Sequence, residues 1–301
     1  MNKLKYWGIA IFLAAAALFG AFTLRQKVGE NRSQPVITIE GETIEVSVND
    51  DESALLQGVT AVDAEGRDIT ESVLVESIGP FNDDDLRVVT YAAVDSNNNV
   101  THAQRNLKYK DYTEPRFSFA VPLSFRTDTT ALTKMITVSD CLDGDITGNL
   151  RLISDEQVNV MVPGNYSAEL TVTNSTGRLY TLPVTIEIFD DATSRSKPVI
   201  GLSEYITYIP RGTKFDPTSY LSSVTISGTT YELTNEEGSY GTESVDNVQK
   251  SMNYGYVNID SNVKTDETGN YSVRYSFTDP EHGTGTVTLY VVVTEGGTEV
   301  K

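Results

Sequence analysis

Apolar and polar residues alternate along this chain in short stretches, and the alternation has a period of two. Ile44, Val46 and Val48 fall on one side of such a stretch, with Thr43, Glu45 and Ser47 on the other. Val89, Tyr91 and Ala93 repeat the pattern. Arg105, Leu107 and Tyr109 answer them after the turn residues Asn97, Asn98 and Asn99. Successive side chains of a strand point to opposite faces, so each stretch predicts a half-buried β-strand. Val59 to Val62 and Val73 to Val75 predict two more. The pattern returns in Tyr166, Ala168, Leu170 and Val172, answered by Leu182, Val184, Ile186 and Ile188. It returns again in Tyr271, Val273, Tyr275 and Phe277, answered by Val287, Leu289, Val291 and Val293. Pro183 cannot donate to a ladder, so it is expected at an edge or with its nitrogen facing outward. Short strands, turns every ~8 to 12 residues and no amphipathic helix predict antiparallel β-sandwiches.

The strands are grouped in three blocks. Pro35-Val36-Ile37, Pro115-Arg116-Phe117 and Pro198-Val199-Ile200 open them, at spacings of 80 and 83 residues. Each block closes on two strands of fixed span: 24 residues separate Asp85 from Tyr109, Gly164 from Ile188, and Gly269 from Val293. The last two begin with the same triplet, Gly164-Asn165-Tyr166 and Gly269-Asn270-Tyr271. A fixed period of this kind predicts an array of like domains. The expected boundaries are 35–111, 112–192 and 196–297, after an N-terminal anchor and linker at 1–34. The junctions are short and end in proline, which favours a semi-extended rod.

Charge and hydropathy change the picture at two points. The 301 residues carry a formal net charge of −19. An acidic surface repels nucleic acid, so a nucleic-acid partner is rejected. Tyr6 to Leu24 contain no charged residue, and Lys3 and Lys5 precede them. Nineteen residues are long enough to cross a ~30 Å hydrocarbon core. The expectation is an uncleaved, single-pass transmembrane helix with the C-terminal domains extracellular. The alternative is secretion after cleavage near Ala15-Ala16-Ala17. Cys141 is the only cysteine, so no internal disulfide exists and the domains rely on core packing.

Blocks one and two carry further matching residues. Block two has Val138-Ser139-Asp140, Asp143-Gly144-Asp145-Ile146-Thr147 and Pro163-Gly164-Asn165-Tyr166. Block one has Val62-Asp63, Gly66, Asp68-Ile69-Thr70, Tyr91 and Asp95, with Arg67 as a departure. Block three keeps only its opening and closing segments and lacks Asp-Ile-Thr. On these residues the chain resembles the bacterial immunoglobulin-like domains found in tandem on Gram-positive surface proteins and in some pesticidal crystal proteins. The resemblance implies the sandwich fold; such modules serve as spacers, adhesive units or carriers.

Two groups of side chains are candidates for a site. Asp63, Glu65 and Asp68 align with Asp140, Asp143 and Asp145, and clustered carboxylates are the chemistry of Ca²⁺. The same residues serve equally as local turn caps, and no regular calcium loop is present, so the cap reading is preferred and no cofactor is expected. The second group lies in block three, where Thr225 to Asp260 is rich in Gly, Ser, Asn and Tyr. Tyr231, Tyr240, Tyr254 and Tyr256 have the composition of a binding surface, although an elongated hairpin packing its tyrosines on the sheet reads the same. His102 and His282 have no metal-spaced neighbour, and no nucleophile elbow or phosphate loop occurs. The reading is a non-enzymatic surface protein that binds a protein or glycan through its third block. The alternative is a structural stalk in an envelope-associated assembly.

Overall fold

The computed structural model describes residue 19 and residues 34–154, 158–190, 197–234 and 251–295. The chain divides into two compact units, Met1–Lys110 and Asp111–Lys301. The described residues are almost entirely strand and turn.

The first unit holds one two-layered sandwich. β1 (Val36–Ile39) pairs with β3 (Val59–Val62) in one sheet. The facing sheet runs in the order β2 (Thr43–Val46), β6 (Val100–Tyr109), β5 (Arg87–Val94) and β4 (Leu74–Ile78). The predicted inward positions meet between them: Ile44, Val46, Val89, Tyr91, Ala93 and Leu107 are all buried. Arg105 is also buried. Its Nη2 donates to Leu55 O (2.7 Å) and to Tyr91 Oη (2.8 Å), and its Nη1 donates to Gln57 O (3.0 Å). A buried charge is tolerated when its donors are met, and here backbone carbonyls meet them.

The second unit holds two sandwiches. In the first of these, β7 (Arg116–Phe119), β9 (Ile136–Asp140) and β10 (Gly144–Asp145) face a sheet ordered β11 (Arg151–Ile153), β12 (Gly164–Thr173), β13 (Leu179–Phe189) and β8 (Ser124–Arg126). The other is built from β14 (Val199–Leu202), β16 (Leu221–Ile226), β17 (Thr229–Thr234) and β18 (Ser251–Asn253). Its facing sheet is ordered β15 (Ile206–Pro210), β21 (Gly283–Thr294), β20 (Gly269–Asp279) and β19 (Asn258–Ser261). Where Gly285 sits, a Cβ would lie 1.8 Å from Pro198 O, so the backbones touch and no side chain fits.

The expectation of purely antiparallel sheets needs correction. β2 runs parallel to β6, β8 to β13, and β15 to β21. After its first strand the chain crosses to the other sheet and lies beside that sheet's last strand, running in the same direction. Period-two alternation reports which face is buried and is silent on direction. The Thr225 to Asp260 stretch is also more regular than its composition indicates, because its described parts supply β17, β18 and most of β19.

Among the described residues no helix is long and apolar enough to cross a membrane. The predicted anchor at residues 6–24 lies outside them, apart from Phe19.

Candidate functional site

The aligned carboxylates hold turns together. Asp63 Oδ1 accepts the N–H groups of Glu65 (3.0 Å) and Arg67 (2.8 Å), and its Oδ2 accepts Arg67 Nε (2.6 Å). Glu65 Oε2 accepts Arg67 Nη2 at 2.9 Å. Asp140 Oδ1 accepts Leu142 N–H (2.8 Å) and Asp143 N–H (3.0 Å), while its Oδ2 accepts Asn174 Nδ2 at 3.0 Å. Asp143 binds Ser175 through both oxygens, each at 2.6 Å. Asp68 and Asp145 each accept the N–H of the threonine two residues on, at 2.8 and 2.9 Å. Hydrogen bonding from the Thr70 and Thr147 side chains, with those N–H groups second, holds the carboxyls of Asp68 and Asp145 below their ordinary pKa. The threonines also act: Thr70 Oγ1 accepts Ala61 N–H and Thr147 Oγ1 accepts Val138 N–H. The Asp-Ile-Thr triplet thus caps a turn with its acid and a strand amide with its hydroxyl. Among the described residues no group of three or more His, Cys, Asp or Glu is placed to hold a metal ion.

The tyrosines of the third block separate. Tyr231 and Tyr254 are half-buried and pack against the apolar core. Tyr256 is 49% exposed, and Tyr240 lies outside the described residues. Of the three described tyrosines, Tyr256 is the exposed one.

Two other tyrosines explain the repeated Gly-Asn-Tyr triplet. Tyr166 Oη donates to Val162 O at 2.9 Å, and Tyr271 Oη donates to Glu267 O at 3.0 Å. Each hydroxyl reaches back four residues, the bond of a tyrosine corner. Each ring lies 3.6 Å from where a Cβ would stand on the preceding Gly164 or Gly269. Gly269 has φ 153°, which few other residues adopt.

The third sandwich is fixed to the second through tyrosine hydroxyls. Along β13 the amides of odd-numbered residues face away from β12, as Glu187 N–H does in reaching Leu123 O (2.9 Å). β8 covers only Glu187 to Phe189, which leaves the edge from Thr181 to Thr185 without a strand. Pro183 lies there and has no N–H to satisfy, as its expected edge position requires. Tyr290 Oη accepts Thr185 N–H at 2.9 Å and donates to Thr185 O at 3.0 Å. Asn270 Nδ2 donates to Thr181 O at 3.4 Å. On the other sheet, Tyr208 Oη accepts Phe117 N–H at 2.7 Å, with Arg116 over its ring. Burial pushes the Tyr208 hydroxyl up to about 12, against the pull of the Phe117 bond, and raises Tyr290 as well. Phe119 meets the Tyr290 ring edge-on at 5.7 Å, and Ile206 and Tyr290 belong to the second sandwich's core.

This junction frames a groove of about 700 Å³. Its floor is the outer face of β12 and β13, where Ser167 stands opposite Thr185 and Glu169 opposite Pro183. Its wall comes from Asn262, Asn270, Tyr271 and Ser272 of the third sandwich. Both copies of the Asn-Tyr-Ser run, Asn165-Tyr166-Ser167 and Asn270-Tyr271-Ser272, line it. The repeat was visible in the sequence, but nothing there shows the two copies facing one space.

A second cluster was also missed. Ser227 Oγ lies 2.6 Å from His282 Nε2, and His282 Nδ1 is bonded to Asp279. Asp279 occupies the repeat step of Asp95, which caps the equivalent hairpin by accepting Asn97 N–H and Asn99 N–H, each at 2.8 Å. Asp279 caps its own turn in the same way, through Glu281 N–H and His282 N–H. His282 then ties the β20–β21 hairpin to the β16–β17 turn, joining the two sheets at an exposed end.

No family model matches the chain. It is 24% identical over 158 residues to an uncharacterized 81.3 kDa protein of Acholeplasma phage L2, a match covering 52% of this chain and 18% of that protein. Among solved structures it is similar to CBM51-2 in complex with GlcNAc and INT domains from Clostridium perfringens ZmpB, at 16% identity and a TM-score of 0.21, over 50% of this chain and 26% of that one. The lipoprotein BT2262 from Bacteroides thetaiotaomicron matches at 13% and 0.23, over 58% and 98%. Human CDH23 EC21-23 matches at 14% and 0.21, over 86% and 100%. Likenesses at such TM-scores carry no weight, and the fold rests on the sheets themselves.

Proposed function

We propose that this chain is a non-enzymatic, membrane-anchored extracellular protein that binds a surface partner, with three immunoglobulin-like domains at 35–111, 112–192 and 196–297. The observation that supports binding is the groove at the junction of the second and third sandwiches. A polar groove held in shape by buried tyrosines is pre-organised, which lowers the ordering cost of a ligand. The recognition surface is accordingly drawn at this junction, with the third block supplying one wall. The uncharged run at residues 6–24 supports the anchor.

The test uses the full chain displayed on cells and challenged with surface extract. Ser167→Trp fills the groove from an exposed floor position. Capture should be abolished in that variant. Undiminished capture by it would overturn the groove as the binding site.

A further inference from the structure

We propose that the groove takes an uncharged oligosaccharide; this rests on the binding reading above and names its ligand class. The lining is chemically unusual for a protein surface that carries a net charge of −19. Among the residues that frame it, Glu169 is the only charged one, and the outward side chains are otherwise hydroxyls and amides with an apolar patch at Ile153 and Pro183. An anionic ligand would approach against the overall field and meet Glu169. A dense row of neutral hydroxyls meets no such penalty.

Each part of the lining matches a part of a sugar. The Tyr166 and Tyr271 rings pack against the cores of their own sandwiches with their hydroxyls bonded back to Val162 O and Glu267 O, which fixes the strands that carry the outward Asn165, Ser167, Asn270 and Ser272. Pro183 and the exposed Ile153, opposite Glu169 in register, supply an apolar patch for the C–H side of a pyranose. The exposed Ser167 and Thr185 hydroxyls stand opposite each other in register, and each both donates and accepts. Asn262 commits its Oδ1 to Ser272 N–H at 2.8 Å, which leaves its NH₂ as a donor to a ligand. Glu169 offers two acceptor oxygens, the pattern that takes adjacent sugar hydroxyls in charge-assisted hydrogen bonds. An extended peptide would need a row of open backbone groups. The row available on β13 is interrupted at Pro183 and closed at Thr185 by Tyr290. That favours side-chain recognition of a polyhydroxyl ligand over strand addition.

The experiment applies the full chain to a panel of immobilised neutral and acidic oligosaccharides, alongside Ser167→Trp and Glu169→Gln. The wild type should bind one or more neutral members, with about tenfold weaker binding in Glu169→Gln and none in Ser167→Trp. Both substitutions lie on exposed positions, and a thermal melt checks that folding is unchanged. Capture of surface extract should fall after periodate oxidation of the extract and survive its proteolysis. Preference for acidic members, or neutral binding unaffected by both substitutions, would overturn the proposal. Capture that still depends on the groove but resists periodate and is destroyed by protease would also overturn it. That last outcome would leave the groove as a protein-binding site, so it is distinguishable from failure of the binding reading itself.

Discussion

Asn106 of the first sandwich and Thr185 of the second occupy the same step of the 24-residue closing unit, yet their amides end in different places. Asn106 N–H donates to Glu42 O at 3.0 Å, within its own sandwich. Thr185 N–H donates to Tyr290 Oη, in the next one. The cause is strand length. β2 reaches Asn106, whereas β8 begins two steps later, at Glu187. Tyr290 itself stands at this step in the third sandwich, where its own N–H finds Tyr205 O at 3.0 Å. A sandwich that leaves an edge unpaired must have it covered. The first sandwich is therefore self-contained at this edge, and the second depends on the third.

The largest break in this comparison is Tyr290→Ala. It removes a buried ring and the cap on Thr185 together, so unfolding of residues 111–301 should shift by about 3–5 kcal/mol. Denaturant titration read by hydrogen exchange should show residues 34–110 unaffected. Tyr290→Phe isolates the hydroxyl. It removes the partner of Thr185 N–H and O at a part-buried junction and should cost about 1–1.5 kcal/mol, again in the second unit alone.

The pH dependence separates the units next. Tyr208 and Tyr290 have raised pKa values in the folded protein, which means that their protonated forms are stabilised there. That contribution is complete below the ordinary tyrosine value near 10 and is lost as pH climbs towards about 12. Alkaline melts should therefore weaken the second unit first. Equal alkaline loss in both units would remove the tyrosine hydroxyls from the account.

Acid should discriminate least. Asp63, Asp95 and Asp279 are held below their ordinary pKa, because hydrogen bonds from Arg67, Asn99 and His282 with nearby amides outweigh desolvation at Asp63 and Asp279 and reinforce the Asn99 contact at Asp95. Stability from depressed carboxyls is present above pH ~4 and lost as pH falls through the folded values. Since both units carry such caps, both should soften together in an acid titration.

Much of this arrangement is legible in the sequence. Alternation placed Val89, Tyr91, Leu107, Leu170 and Val291 inside, because a strand has only two faces. The 24-residue span marked the closing hairpins, and Pro183 marked an open edge. Other parts were hidden for physical reasons. Tyr290 and Thr185 are 105 residues apart; Tyr290 breaks its strand's alternation by standing on the face of Thr286 and Thr288, but nothing local says which edge it covers. Tyr231 and Tyr254 looked like a binding surface because composition does not distinguish a ring packed on a sheet from one facing solvent. Tyr166 and Tyr271 fit their strands' alternation as core-facing residues, and their corner bonds to Val162 O and Glu267 O have no signature in that pattern.

The most direct test is the exchange rate of the Thr185 amide. Protection there should match that of neighbouring core strands in the wild type and fall at least about tenfold in Tyr290→Phe, while Asn106 stays unchanged; a tenfold change corresponds to about 1.4 kcal/mol. Equal exchange of Thr185 in the two proteins would contradict the claim that the third sandwich completes the second.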